Sequence, residues 1–339
     1  MKILIFSPNY IPLVGGLETT VDEIASSLSK NGYTIKLATH TPAEKELERS
    51  FEIIRNPSPL QLLKLFKWSD GIYFPNLSLK GFWPQLFFWK PLFISNHVTH
   101  YKRDGSIDLT EKVKIKIMRK AHVACCSEFV LKKINVKGEV IHSPYDHRLF
   151  RRIPEIEKTR DLVFLGRLVS DKGCDLIIKA LEILGKDNFF PNLTIIGKGK
   201  EKENLISQIK EKKLESQVTF TGVLTGEALV KELNRYRILV APSIWAEPFG
   251  KVALEGLACG CDVIVPAHGG FPESAGSSGI FFNPTDYNDL AVKIKATLLH
   301  PPQKDQKAIE QHLLLNNADT VGKKYVAWFS KYLKPREAS

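Results

Sequence analysis

Glu247 and Glu255 stand eight residues apart in ILVAPSIWAEPFGKVALEGLACG (238–260), a stretch that sets two carboxylates, an aromatic ring and a glycine where a strand meets a helix. The apolar run 238–241 reads as a short buried strand, 242–247 as a loop, and 248–259 as a helix with proline in its first turn. Gly250 lets the backbone approach a ligand, and the N–H groups of Phe249, Gly250, Lys251 and Val252 carry the positive partial charge of a helix start, suited to phosphate. With Glu247 before the helix and Glu255 about two turns in, the two backbones lie roughly 12 Å apart at about 1.5 Å per residue. That exceeds the roughly 5–5.5 Å between two carboxylates that act on one glycosidic bond with retention. The spacing suits two acceptors on hydroxyls at opposite ends of a long polar ligand, with a diphosphate between them. The plainer alternative is a helix-terminal carboxylate plus a solvated glutamate.

Cations for such a diphosphate occur in LVFLGRLVSDKG (162–173), where Arg167 ends a strand and Lys172 follows five residues later. Two cations beside a helix N-terminus neutralise charge as a bond to phosphate breaks, whereas either alone reads as a solvated side chain. Near the amino terminus, KILIFS (2–7) is a strand followed by the Gly15-Gly16 turn, then an amphipathic helix over 20–30. Paired glycines admit backbone amides to a charged group or simply make a tight turn, and Gly16 is the candidate. His97 falls just past the carboxyl end of the strand 91–95, where open parallel sheets collect ligands, with His100 as its rival. Asn76 occupies the same place after the strand 71–75.

Further apolar runs at 34–39, 123–127, 139–141, 193–197, 218–222, 262–266 and 279–282 alternate with helical periodicity, so the class is α/β with parallel sheets. The 339 residues suit two such domains. Hydrophobic content of 43% and charge of 25% are those of a globular chain. Four apolar residues before Ser7-Pro8 are too few for a signal peptide, and no apolar run approaches a membrane span, so a cytoplasmic protein is expected. Five cysteines without ligand spacing read as small core residues, and the absence of any Asp-x-Asp leaves a diphosphate-bridging metal without support.

The net charge of +11 is uneven: residues 1–152 hold 23 Lys+Arg against 14 Asp+Glu, a net of +9, and the remainder 25 against 23. No nucleic-acid-binding signature accompanies it, so nucleic acid is not expected as a partner. The mixed segment 111–120 (EKVKIKIMRK) places Val113, Ile117 and Met118 near one side among cations, beside the aromatic tract 82–93. A solvated helix or contact with an anionic membrane surface both fit.

The Glu247/Glu255 pair resembles the glutamate-x7-glutamate motif of the retaining glycosyltransferases of the group 1 family (family four). GRLVSDKG resembles that family's Arg and Lys motif, Gly15-Gly16 its first glycine-rich loop, and Gly269–Glu273 its GGxxE loop. The tract 141–150 resembles its interdomain motif, with Ser143 where asparagine is usual. The resemblance implies a GT-B fold, two facing Rossmann-like domains with an interdomain active-site cleft. It divides the chain into an acceptor-side domain 1–150, a nucleotide-sugar domain 151–318, and a terminal helix 319–339 packing back on the first. It implies Glu247 on the donor sugar, Glu255 on the ribose, Arg167 and Lys172 on the diphosphate, Gly16 on donor phosphates and His97 on the reacting sugar. The donor would be a nucleoside diphosphate sugar, with no further cofactor, and the acceptor a glycan or a lipid-linked one at the inner face of the membrane. A sugar-nucleotide epimerase on the same fold and a non-catalytic membrane- or carbohydrate-binding protein are the alternatives.

Overall fold

The computed structural model describes residues 1–13, 15–43, 48–102, 104–333, which form two α/β units. One unit comprises Met1–Pro144 with Asn316–Ser339, the other Tyr145–Leu315. The chain thus passes between units at Pro144, ahead of the expected 150, and returns at Asn316, ahead of 319.

In the first unit, seven parallel strands are β1 (Lys2–Phe6), β2 (Thr34–Thr39), β3 (Glu52–Arg55), β4 (Gly71–Pro75), β5 (Leu92–Asn96), β6 (His122–Cys125) and β7 (Glu139–Val140). Their spatial order is β3-β2-β1-β4-β5-β6-β7. Apolar runs such as Ile3–Phe6 and Ile72–Phe74 are wholly buried because helices cover both faces of a parallel sheet. The helix after β1 spans Gly16–Lys30, starting four residues before the expected 20, so Gly16 is its first residue rather than part of a turn.

The terminal helix Ala318–Tyr332 packs on Gly16–Lys30 and completes the core of this unit. Phe329 stacks on Phe93 with centroids 4.4 Å apart and meets Tyr73 edge-on at 5.4 Å. Aromatic pairs at such spacing contribute about 0.5–1.5 kcal/mol beyond the area they bury. The unit therefore draws its core from both ends of the sequence.

The second unit has six parallel strands: β8 (Arg160–Leu165), β9 (Leu193–Ile196), β10 (Val218–Gly222), β11 (Tyr236–Val240), β12 (Asp262–Pro266) and β13 (Gly279–Phe282). The order β10-β9-β8-β11-β12-β13 reverses direction between β8 and β11. Its core gathers Leu162, Phe164, Ile177, Leu181, Ile195, Ile238, Ile264 and Ile294. In each sheet the reversal opens a crevice at the strand carboxyl ends, between β1 and β4 and between β8 and β11, the place where such folds bind ligands.

All five cysteines are buried, and none forms a disulfide. Burial pushes the Cys125 and Cys259 thiols up to about 12, which leaves them inert core groups. No helix among the described residues is long and apolar enough to cross a membrane.

Candidate active site

The β8–β11 crevice of the second unit brings Lys172 to Glu247. Register places Leu162 beside Ile238, so the loops that leave these strands, 166–173 and 241–250, run side by side. They are tied by backbone bonds: the Asp171 carbonyl accepts from Ile244 N–H at 2.9 Å and from Trp245 N–H at 3.3 Å. Gly173 lies against the Pro242 carbonyl with a φ of +64°, a contact that leaves no room for a Cβ. On this frame Lys172 Nζ donates to Glu247 Oε1 over 2.6 Å, and Ser243 Oγ donates to the same oxygen. Among the described residues no donor reaches Glu247 Oε2, so one carboxylate oxygen stays available to a ligand hydroxyl. His268 Nε2 meets the Ser243 carbonyl at 3.1 Å and steadies the loop from β12.

The helix that follows starts at Lys251 and ends at Ala258, not at 248 as expected. Gly250 precedes it in the left-handed region, with a φ of +87°, and a Cβ there would meet the Phe271 ring at 2.5 Å. The segment before it is held as a loop from outside, since Gly270 N–H bonds the Glu247 carbonyl at 2.7 Å. Its N-cap, Gly250, has no side chain with which to cap it, and the helix start at Lys251 and Val252 carries the positive partial charge suited to phosphate. Phe249 is only 3% exposed, so its ring belongs to the core and only its backbone can serve a donor.

Glu255 lies one turn into this helix rather than two. The residue is partly buried, and burial pushes its pKa up against a smaller opposing pull from Lys251. Among the described residues no hydrogen-bond donor pairs with this carboxylate. A desolvated acceptor without a partner costs stability until a ligand supplies the donor. Arg167 is exposed at the end of β8, its guanidinium unpaired among the described residues. The loop Gly197–Gly199 braces it: Leu168 N–H bonds the Lys198 carbonyl at 2.9 Å.

In the first unit, the carboxyl ends of β1, β4 and β5 carry Gly16, Asn76 and His97. His97 N–H donates to Asn76 Oδ1 at 2.7 Å. Its ring nitrogens meet two serine hydroxyls, Nε2 to Ser95 at 3.0 Å and Nδ1 to Ser143 at 3.1 Å. Ser143, the departure from asparagine, is thus one of the two serines that hold the imidazole. His100 is buried with a φ of +62° and joins Asn96 to Glu111, which makes it a brace for the following helix. Burial lowers its pKa, more strongly than the Glu111 carboxylate raises it. The Gly16 carbonyl accepts from Thr20 Oγ1 at 2.7 Å within the first turn of the helix that follows β1.

Sequence reasoning missed Ser243 and His268. Both sit just past a strand carboxyl end, the same signal that selected His97, and each could have been found by it. The helix read at 111–120 spans Leu109–Met118, with Ile115 and Met118 buried and Val113 exposed, so Val113 does not share the environment of Met118. No three His, Cys, Asp or Glu side chains among the described residues come together as metal ligands.

Residues 146–312 match the family profile described as glycosyl transferases group 1. The glycogen synthase of Mycobacterium tuberculosis is 33% identical over 150 residues, 44% of this chain but only 36% of that protein. The alpha-monoglucosyldiacylglycerol synthase of Streptococcus pneumoniae is 24% identical over 96% of this chain and 84% of its own length. The Anabaena Alr3699/HepE structure, solved in complex with UDP, superposes with a TM-score of 0.80 at 19% identity, covering 98% of this chain and 100% of its own. With the crevice residues of the second unit inside the matched span, residues 146–312 form a group 1 glycosyl transferase domain, and the chain has the GT-B fold.

Proposed function

We propose that the protein is a retaining glycosyltransferase that moves a sugar from a nucleoside diphosphate sugar to a glycan or lipid-linked acceptor, in the synthesis of a cell-surface polysaccharide or glycolipid. The observation that carries this reading is the pairing of Lys172 with Glu247 just before a helix that starts at Lys251 and bears Glu255 one turn in. The UDP held by the structurally similar HepE supports a nucleotide donor.

In this reading Lys172, Arg167 and the amides of Gly250 to Val252 take the diphosphate, so that no metal is needed to offset its charge. Glu247 offers its open oxygen to a sugar hydroxyl, and Glu255 accepts from the ribose. The bond from the anomeric carbon to the phosphate oxygen breaks with its electron pair leaving on the diphosphate. Lys172 and Arg167 stabilise the charge that develops there, an effect of differential transition-state binding. The acceptor hydroxyl oxygen bonds the anomeric carbon on the face the diphosphate leaves, and its proton passes to a phosphate oxygen of the donor. His97, fixed by Asn76, Ser95 and Ser143, contacts the reacting sugar. The enzyme works at the cytoplasmic face of an anionic membrane.

Thermal unfolding with a panel of nucleoside diphosphates and their sugars tests this. A ligand at 100 times its dissociation constant raises stability by about 2.7 kcal/mol, and one nucleotide series should do so. Anomeric configuration of the product by NMR then checks retention. If no nucleotide sugar stabilises the protein, the donor assignment fails.

A further inference from the structure

Away from both crevices, the connection between β4 and β5 exposes large apolar side chains on a rigid turn. Leu86, Phe87 and Trp89 are 61%, 69% and 83% exposed, on or just after the short helix Gln85–Phe88. The turn packs against the helix Pro59–Trp68 through Phe66 and Phe88, 6.4 Å apart, and that helix adds Leu60 at 62% exposure. Trp89 takes a left-handed backbone with a φ of +46°, rare for a bulky residue. The conformation is held in place: Gln85 Nε2 donates to the Lys90 carbonyl at 2.5 Å and Lys90 Nζ to the Ser69 carbonyl at 2.7 Å. A fixed turn that keeps a tryptophan and a phenylalanine in water has an apolar partner.

Charge identifies that partner. Residues 56–101 hold Lys64, Lys67, Lys80 and Lys90 against Asp70 alone, and Asp70 accepts from the Lys2 backbone N–H. Lys64, Lys67 and Lys80 are exposed. A second copy of this +11 chain would bring like charges together at such a surface. Aromatic rings with lysines around them match the boundary of an anionic bilayer, where rings enter the headgroup region and ammonium groups reach lipid phosphates. The basic helix Leu109–Met118 is a weaker candidate, because Glu111 pairs with its Lys114 and Asp108 at its start pairs with Lys102.

We propose that the Gln85–Trp89 turn, with the neighbouring lysines, is the anchor by which the protein docks on an anionic phospholipid surface. This deepens the membrane part of the reading above and places the contact at this turn. Full-length protein is sedimented with phosphatidylcholine vesicles and with vesicles containing phosphatidylglycerol, at low and high salt. Wild type should bind the anionic vesicles at low salt and release with salt. The double variant Phe87→Ser/Trp89→Ser should lose about ten-fold or more in partitioning, and Lys64→Gln/Lys67→Gln/Lys80→Gln should lose the salt-dependent part. Lys112→Gln/Lys116→Gln should bind like wild type. Both altered sets are exposed, and UDP-induced stabilisation, measured separately, reports the donor site and should be unchanged in all. Wild type left in the supernatant, or a double variant that sediments like wild type, overturns the anchor. So does a light-scattering dimer that the double variant abolishes. Loss of binding confined to the Lys112/Lys116 variant keeps the membrane reading and removes this turn from it.

Discussion

Lys172 and Glu247 lie 75 positions apart in sequence and meet through a 2.6 Å bond between Nζ and Oε1 at the β8–β11 crevice. The bond orients the ammonium before any ligand arrives, so a donor meets a cation that is already placed. Ser243, four residues from Glu247, shares the same carboxylate oxygen and keeps it in position if the lysine is removed.

Lys172→Ala should therefore leave the Glu247 loop folded and lower turnover by about 10²-fold, the loss seen when one preorganised donor to developing charge is removed. Donor KM should change much less, because the charge on the diphosphate grows as its bond to sugar breaks. Steady-state kinetics decides this. A rise in KM alone would mean that Lys172 binds the ground state and the transition state equally.

Glu255 links pH to stability. Burial raises its folded pKa above the ordinary glutamate value, so the folded protein holds this proton more tightly than the unfolded chain. The stability this contributes is fully present below the unfolded value and is lost as pH rises through the raised folded value. Glu255→Gln stays neutral, so the unliganded variant should gain on wild type as pH moves from acidic to neutral. The same change should weaken UDP binding by about ten-fold or more, since a hydrogen bond to a charged group is worth about 1.5–3 kcal/mol. Thermal unfolding across pH, with and without UDP, reads both effects. Parallel pH curves for variant and wild type would show that burial does not raise the Glu255 pKa.

The alternation of strands and helices was legible because parallel strands are buried on both faces and read as apolar runs, as in Leu162–Phe164 and Val263–Val265. The strand β3 was not: its four residues, EIIR, lie at the sheet edge, and none of them is buried. The start of the helix at Lys251 was also hidden. Pro248 signals a first turn locally, but Gly270 bonds the Glu247 carbonyl from more than twenty positions away and holds the segment as a loop. Residue types at strand ends were readable one by one. Their partners were not, since Ser143 on His97 and Lys172 on Glu247 depend on pairings that only the folded sheets create.

His97 ends a chain of hydroxyls from which the ring nitrogen that carries its proton is predicted. Tyr73 Oη lies 2.7 Å from Ser95 Oγ, which lies 3.0 Å from His97 Nε2. Burial pushes the Tyr73 phenol well above its usual value, so it keeps its proton, and the expected direction of this bond is from Tyr73 to Ser95. Ser95 then has its own proton for Nε2, which predicts a His97 ring with hydrogen on Nδ1, directed at Ser143. Tyr73→Phe removes the first donor and frees Ser95 to rotate. Nitrogen-15 NMR of the histidines should show His97 mainly as the Nδ1–H tautomer in wild type and as a mixture in the variant. Turnover should fall by about five-fold, the equivalent of one ordinary hydrogen bond of about 1 kcal/mol. UDP-induced stabilisation should not change, because the donor groups Lys172, Glu247 and Glu255 belong to the other unit. A variant with an unaltered His97 spectrum and full turnover would show that the tyrosine only fills the core, and that Asn76 and Ser143 suffice to hold the ring.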